Sequence, residues 1–576
     1  MDIGVPFIVS YTLLGFLVLS IFVLAFCLKD YYFIYDHRLL FVIGLVFSRS
    51  LTYHAVTNVI MWYVTYNMDG GFVRSAVLSN IQDSLSSLFV IFMAHSADSF
   101  VGRFRTLLFS NTAYISGVLI LWIFNPYDVT WLIVVALVLQ ALGKSGDAIL
   151  KHVLIDLVDG IDTSADRTKK RSLTRGTIWW RIAHAFGAIA SILWVAPDAF
   201  GGVQPTWRTT FLICLISMIA ALIIFCTGHK VYHQRELTQR PVEIFFRVFR
   251  AKVQKLLKSK SRCSMNSSEQ ERLPETRRQE NDGIALNRSP PHLDTNGKKY
   301  RGNSSYKEDI KVVRSLLRMF PMWGTLIVVS LVSAAGSTFY IEQFSNLKGN
   351  EEIPAQMFDV IQDISGFAIL IIYSWTPFSK NEKLKIGVGM FCSVISCVCA
   401  WRLEVSRLKA VIEQGDDDDD TSISFLWLVP QFSILGCMEW LAEEGSLNFF
   451  KSQIEEPIKS YREEYMEVVM CLGILVNTFL ILILKTQGWF GYDVNNGTRL
   501  DKYYRLLVYL CSVNLIIYYC IAKCFYKETE QERHSAHGNL QLSESTDHAT
   551  TGNSYRRKRF LVLLSRQVSF VFDTLF

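Results

Sequence analysis

The stretch AKVQKLLKSKSRCSMNSSEQERLPETRRQE, residues 251–280, lies inside a long segment that is polar and basic. From Gly228 to Arg318 the chain carries 21 Lys/Arg against 10 Asp/Glu. On each side stand at least six long apolar runs. Lys and Arg are retained on the cytoplasmic side of a bilayer, so this segment reads as a cytoplasmic connector between two sets of membrane helices. The fold class follows: an all-α polytopic membrane protein of two six-helix bundles with a long central loop.

Composition agrees with that reading. Hydrophobic residues make up 51% of the 576, aromatics 13% and charged residues 19%, with a mean hydropathy of +0.25. A soluble chain of this length would carry about a quarter charged residues. Here the apolar residues gather in runs of roughly 20, enough to cross a hydrocarbon core of about 30 Å as helix. The net charge of +6 sits in the loops, so it reports orientation and does not point to a nucleic-acid partner. Most cysteines lie in apolar segments (Cys392, Cys397, Cys399, Cys511, Cys520) without paired metal spacing. They read as packing residues, with a disulfide framework or zinc site as the remote alternative. No metal site and no cofactor is expected.

Residues 6–27 form a first apolar run, read as an extra membrane helix, with a cleaved leader as the alternative. The first bundle, 39–227, takes runs at 39–64, 74–97, 106–124, 130–156, 177–196 and 208–227. The basic loop is 228–318. The second bundle, 319–526, takes runs at 319–341, 357–377, 385–402, 423–447, 465–485 and 504–526, and a cytoplasmic tail fills 527–576. With 28–38 inside, the inside connections are 98–105, 157–176, 228–318, 378–385, 451–464 and the tail, nearly all with clustered Lys/Arg. The outside connections are short and poor in bases, or acidic like Asp416–Asp420, and they include the sequon Asn496-Gly497-Thr498. Within the loop, Pro241–Lys258 spaces Phe245, Phe249, Val253 and Leu256 near the helical period, which suits an amphipathic helix on anionic lipid. The basic run Arg556–Arg559 leads into Phe560–Leu564, read either as membrane-associated or as a solvated tail.

A charge inside a span is costly, by roughly 2.5–3.5 kcal/mol on insertion scales, and tends to face a bundle interior or a water path. The candidates are Arg49, Asp83, Arg181, Glu342, Asp359, Asp363, Glu439, Glu443 and Glu444, with His54 and His184 beside them. Lys144, Asp147 and Lys151 share one helix face, a spacing that permits a local ion pair. Each of these is either a structural pair or part of a solute path. Substrate or proton binding is assigned to Arg49, His54, Asp147, Arg181, His184 and Glu439. A carboxylate that titrates opposite a buried Arg is the physical core of a proton-coupled cycle. Asp98, Gly102, Arg103 and Arg105 form a tight cytoplasmic turn suited to a gating charge clamp. No Walker-type loop, His-Glu-x-x-His, Gly-x-Ser-x-Gly or kinase set occurs, so no catalytic residue is assigned and an enzyme is not expected.

Four motifs then resemble a known family. Ala97-Asp98-Ser99-Phe100-Val101-Gly102-Arg103-Phe104 resembles the Ala-Asp-x-x-x-Gly-Arg-aromatic signature after the second helix of proton-dependent oligopeptide transporters. Gly336-Ser337-Thr338-Phe339 with Gln343 resembles the seventh helix of their plant branch, the nitrate/peptide transporter family. Pro430-Gln431-Phe432, Gly436, Glu439 and Phe449-Phe450 are similar to its tenth helix, and Leu500-Asp501-Lys502-Tyr503-Tyr504 to the start of its last. The resemblance covers roughly 39–526 and is greatest to the fifth plant subfamily. It implies the major facilitator fold, two six-helix bundles rocking about a central cavity, usually driven by a proton gradient. It implies small, often nitrogen-bearing solutes: nitrate, short peptides, nicotianamine-like chelators, hormones or glucosides. The family's first-helix Glu-x-x-Glu-Arg stands here as Leu45-Val46-Phe47-Ser48-Arg49. Its fourth-helix Gly-Gly-x-Lys-Pro stands as Ser145-Gly146-Asp147-Ala148-Ile149.

The expected function is secondary transport of a small nitrogen-containing or anionic solute by alternating access, with or without proton coupling. A facilitator, or a sensor or scaffold that does not transport, is the alternative. Expected partners are the solute, protons and membrane lipids. The plasma membrane and the vacuolar or other endomembranes both fit.

Overall fold

The computed structural model describes residues 37–57, 60–67, 71–124, 130–161, 168–195, 206–230, 232, 304–348, 355–378, 381–414, 423–454, 461–491 and 498–541. The apolar run at 6–27, the amphipathic stretch at 241–258 and the basic tail at 556–564 lie outside them. Contacts group the chain into a unit through Tyr519 and a smaller one from Cys520.

Among the described residues, each expected run from residue 39 on is largely helix. In the first half, α1 (His37–Thr52), α2 (Ile60–Asn67), α3 (Gly71–Ser96) and α4 (Arg103–Ile123) lead to α5 (Thr130–Lys144), α6 (Asp147–Ile161), α7 (Thr168–Val195) and α8 (Trp207–Thr227). In the second half come α9 (Ser304–Ala335), α10 (Ile341–Ser345), α11 (Gln356–Trp375), α12 (Glu382–Gln414), α13 (Leu428–Gln453), α14 (Arg462–Thr486) and α15 (Leu500–Gln541). Helix is what hydrocarbon demands, because each backbone N–H and C=O must bond within its own segment. Hydroxyls in the spans follow the same rule: Thr52 donates to the Ser48 carbonyl at 2.9 Å and Ser84 to that of Asn80 at 2.8 Å. Among the described residues, 11 helices are long and apolar enough to cross a membrane.

Several boundaries differ from expectation. Helix α7 begins at Thr168 and α9 at Ser304, ahead of the expected 177 and 319, α12 runs past residue 402 to Gln414, α13 past 447 to Gln453, α14 begins at Arg462, and α15 continues through the polar tail to Gln541. The apolar pattern marks only the part of a helix that sits in lipid, and a helix does not stop where lipid does.

Each half packs through close helix pairs, α4 on α5 and α1 on α7 and α8 in the first, α13 on both α11 and α12 in the second. A Cβ at Gly436 of α13 would lie 1.9 Å from the Gln362 carbonyl of α11, so that approach needs glycine. The halves meet along α3 and α14 and at α7 and α11. Among the described residues, three five-residue π turns interrupt the spans, at Tyr53–Thr57, Ala97–Val101 and Gly336–Tyr340. Such bulges concentrate at functional sites, and here they carry His54, Asp98 and the Gly336–Phe339 motif.

Candidate functional site

The middle of the molecule brings residues of both halves together. The π turn after α1 presents His54, whose ring meets that of His184 on α7 edge-on at 5.3 Å. Ligating atoms of His54, His184 and Asp363, the last on α11, all lie within 4.8 Å of one another. Arg181, one turn before His184, stacks its guanidinium on Trp440 of α13 at 4.3 Å and on Phe367 of α11 at 5.5 Å. It makes no ion pair or hydrogen bond among the described residues. Glu439 accepts hydrogen bonds from Ser333 of α9 and from the Gln362 amide, the latter at 2.7 Å. Both donors are neutral.

Arg49 is different. It is 2% exposed and all three guanidinium nitrogens are committed, to Asp147 at 2.5 Å, the Asn111 side chain at 2.6 Å and the Gly143 carbonyl at 2.6 Å. The expected local pairing of Lys144, Asp147 and Lys151 does not occur. A turn at Ser145–Gly146 separates α5 from α6, and each residue bonds to a different helix. Lys144 meets Asp83 of α3 at 3.0 Å, Asp147 meets Arg49, and Lys151 meets Glu463 of α14 at 2.8 Å. The turn redirects side chains that one straight helix would hold on one face. Of the remaining candidates, Glu342 and Asp359 are buried and Glu444 pairs with Lys385 at 3.2 Å.

Where α3 gives way to α4, a charge cluster is built around a glycine turn. Gly102 has φ +87° with open space around its missing Cβ, so the backbone conformation, not room, asks for glycine. It turns the chain from the π turn into α4. Arg103 then reaches back to Asp98 at 2.8 Å and across to Asp156 of α6. Tyr461, just before α14, donates to the other Asp98 oxygen at 3.1 Å. Arg105 is exposed and takes part in none of these bonds. At the opposite end, Phe72 of α3 packs edge-on against Phe339 and Phe490, at 5.9 and 6.0 Å. The halves therefore touch at both ends of the central cluster.

Several of these residues escaped the sequence reading. Glu463, Glu464 and Glu467 line the first turns of α14, the first two having been placed in a loop by a span drawn from 465. Glu467 accepts from Ser87 across the halves at 2.8 Å. Three acids at the mouth of an apolar run were the available signal. Glu404 and Arg407, both within 1% of full burial, pair at 2.7 Å beyond the expected end of α12. A cavity of about 360 Å³ between α1 and α7 is lined by Leu40, Gly44, Phe47 and Phe186 among others. In a membrane it meets acyl chains, and nothing in it would hold a polar solute.

The comparisons with known proteins agree with this architecture. Residues 104–489 match the POT family model. Protein NRT1/PTR FAMILY 5.10 of Arabidopsis thaliana is 26% identical over 534 residues, covering 84% of this chain and 92% of that protein. Protein NRT1/PTR FAMILY 5.14 of the same plant is 24% identical over 532 residues, with the same coverage of 84% and 92%. Among solved structures, the POT family transporter PepTSo superposes with a TM-score of 0.62 at 13% identity, over 86% of this chain and 99% of that one. An auto-inhibited POT family peptide transporter gives 0.63 at 12% identity, over 90% and 99%. The fold is thus the major facilitator-like fold of those structures, and with the family model spanning most of the helical core, the chain belongs to the POT family, a family of membrane transporters and not of enzymes.

Proposed function

We propose that this chain is a proton-coupled secondary transporter of a small, nitrogen-containing anionic solute, working by alternating access of the halves 39–227 and 319–526. The observation that carries the reading is Arg181. A guanidinium on two aromatic faces at the junction of the halves, with no carboxylate bound to it among the described residues, is a donor fork held ready for a planar anion such as nitrate or a carboxylate. His54 and His184 lie close by on the same side.

Coupling is assigned to Glu439. Its partners are neutral, so protonation leaves no stranded cation and changes only the charge of the central cluster. The positions where the resemblance would put glutamates hold Leu45 and Ser48, both buried, with the serine hydroxyl bonded to the Leu45 carbonyl at 3.1 Å. Nothing there can titrate, which moves the coupling role to the second half. The same two residues favour a second reading, a facilitator without protons.

The test is uptake of nitrate and of a dipeptide by oocytes expressing the chain, at acid and at neutral pH. Transport should rise at acid pH. Arg181→Ala should raise KM at least tenfold with normal protein at the membrane, and Glu439→Gln should flatten the pH profile. Uptake by the parent chain that is indifferent to pH selects the facilitator. Unchanged KM in Arg181→Ala removes the anion fork.

A further inference from the structure

We propose that His54, His184 and Asp363 form a binding site for one divalent transition-metal ion of the zinc class, bridging the two halves of the molecule. Two observations carry it. Ligating atoms of the three side chains lie within 4.8 Å of one another. An ion about 2.1 Å from each donor in tetrahedral geometry sets donors about 3.4 Å apart, so the three need draw in by only about 1.4 Å, within the reach of side-chain rotation. The second observation is His54 itself. It is 2% exposed and neither ring nitrogen has a hydrogen-bond partner among the described residues. Leaving a buried donor or acceptor unsatisfied costs about 1–3 kcal/mol, and a ligated ion would satisfy the acceptor nitrogen that faces the cluster.

The donor set selects the ion. Two imidazoles and one carboxylate with a fourth position open suit zinc and its neighbours, whereas calcium and magnesium take oxygen donors. Neighbouring cations do not fill the place. The Lys144 ammonium is bonded to Asp83 and lies over Tyr53, and the Arg181 guanidinium lies on Trp440.

The placement has a mechanical consequence. His54 and His184 belong to the first half and Asp363 to the second, so the complete site exists only while α1, α7 and α11 converge. An ion that binds one arrangement stabilises it by its differential affinity, so the metal holds the halves together at the centre and slows the cycle. The slowing rests on the transport reading above; the site does not, and binding is measured without transport.

The experiment titrates the purified, chelator-stripped full chain in detergent with Co²⁺ as a spectroscopic stand-in for zinc. A visible absorption band that saturates at one equivalent and is displaced by Zn²⁺ is expected. Asp363→Asn and His184→Ala should each weaken binding at least about tenfold, while His95→Ala, remote at the end of α3, should leave it unchanged. Thermal unfolding of each variant without metal checks that it is folded, and Asp363→Asn, nearly isosteric, stands in should His184→Ala fail that check. Absence of a saturable band, or equal binding by Asp363→Asn and the parent chain, overturns the site. Zn²⁺ that binds but leaves transport at its normal rate retains the site and overturns the clasp.

Discussion

Two polar clusters buried in the same membrane protein are built to opposite specifications. In the second half, Arg407 and Glu404 pair at 2.7 Å, Gln343 donates to Glu404 at 2.8 Å, and Gln431 donates to Gln343 at 3.3 Å. Opposite charges cancel there and each charged group is bonded. At the junction of the halves, Arg181 lies on rings, Glu439 on neutral amide and hydroxyl, and His54 has no hydrogen-bond partner for either nitrogen among the described residues. A closed network fixes one arrangement of helices. An open one keeps donors and acceptors for something that arrives. Buried charge alone therefore does not mark a solute site in a membrane protein; unspent bonding capacity beside buried charge does. By that measure Arg49, the most obvious charge in the sequence, belongs with the closed kind.

The sharpest way to break the comparison is to open the closed network. Glu404→Ala takes from the buried Arg407 the carboxylate it pairs with at 2.7 Å, and from Gln343 its acceptor. Removing one partner of a buried pair costs about 3–5 kcal/mol. The expected outcome is a large drop in thermal stability of the purified chain, with little protein reaching the membrane. Replacing both residues, Glu404→Met with Arg407→Met, should recover most of the loss, because two apolar groups need no partners. A Glu404→Ala chain as stable as the parent would show that the network is not structural, and the contrast with the junction would fall.

Next in size is Gly436→Ala. The new methyl would meet the Gln362 carbonyl, which is backbone and cannot rotate away. Helices α11 and α13 must separate, at about 1–3 kcal/mol for overpacking of this kind. The same shift moves the Gln362 amide from Glu439. Thermal stability should fall modestly while transport falls by more than the loss of folded protein explains. Equal losses in both would make Gly436 a packing residue and nothing else.

How much of this was legible without coordinates depends on what kind of signal each feature leaves. The helices were legible from runs of apolar residues, because hydrocarbon leaves the backbone no other choice. The clamp residues Asp98 and Arg103 were legible because their motif is local, five residues apart across one glycine. The junction was legible only as a set of suspects: His54, Arg181, His184 and Glu439 were singled out as costly charges or polar rings in spans. Their separation from Arg49 was not legible, since it depends on Asn111 and the Gly143 carbonyl lying within reach in three dimensions. Glu404, Arg407 and Glu463 were missed for another reason. They sit on helix turns beyond the apolar stretch, where sequence alone reads loop.

The smallest effect is expected at the Asp98 end of the bundle, where the comparison can be made more exact. Asp98 is bonded twice, by Arg103 within the first half and by the Tyr461 hydroxyl from the second. The first bond shapes a turn and the second ties the halves. Tyr461→Phe removes only the tie. A hydrogen bond to a charged acceptor is worth about 1.5–3 kcal/mol when buried, and less at a half-exposed end where water replaces the phenol. The expectation is about 1 kcal/mol, a roughly fivefold shift in the balance between arrangements, with stability of each half untouched. Distances between spin labels on α6 and α14 would show a larger open fraction in Tyr461→Phe. Lys151→Ala, which cuts the parallel tie to Glu463, should shift the same balance in the same direction. If Tyr461→Phe lowers thermal stability instead and leaves the distances alone, the Asp98 cluster is of the closed kind, and the open kind is confined to the junction.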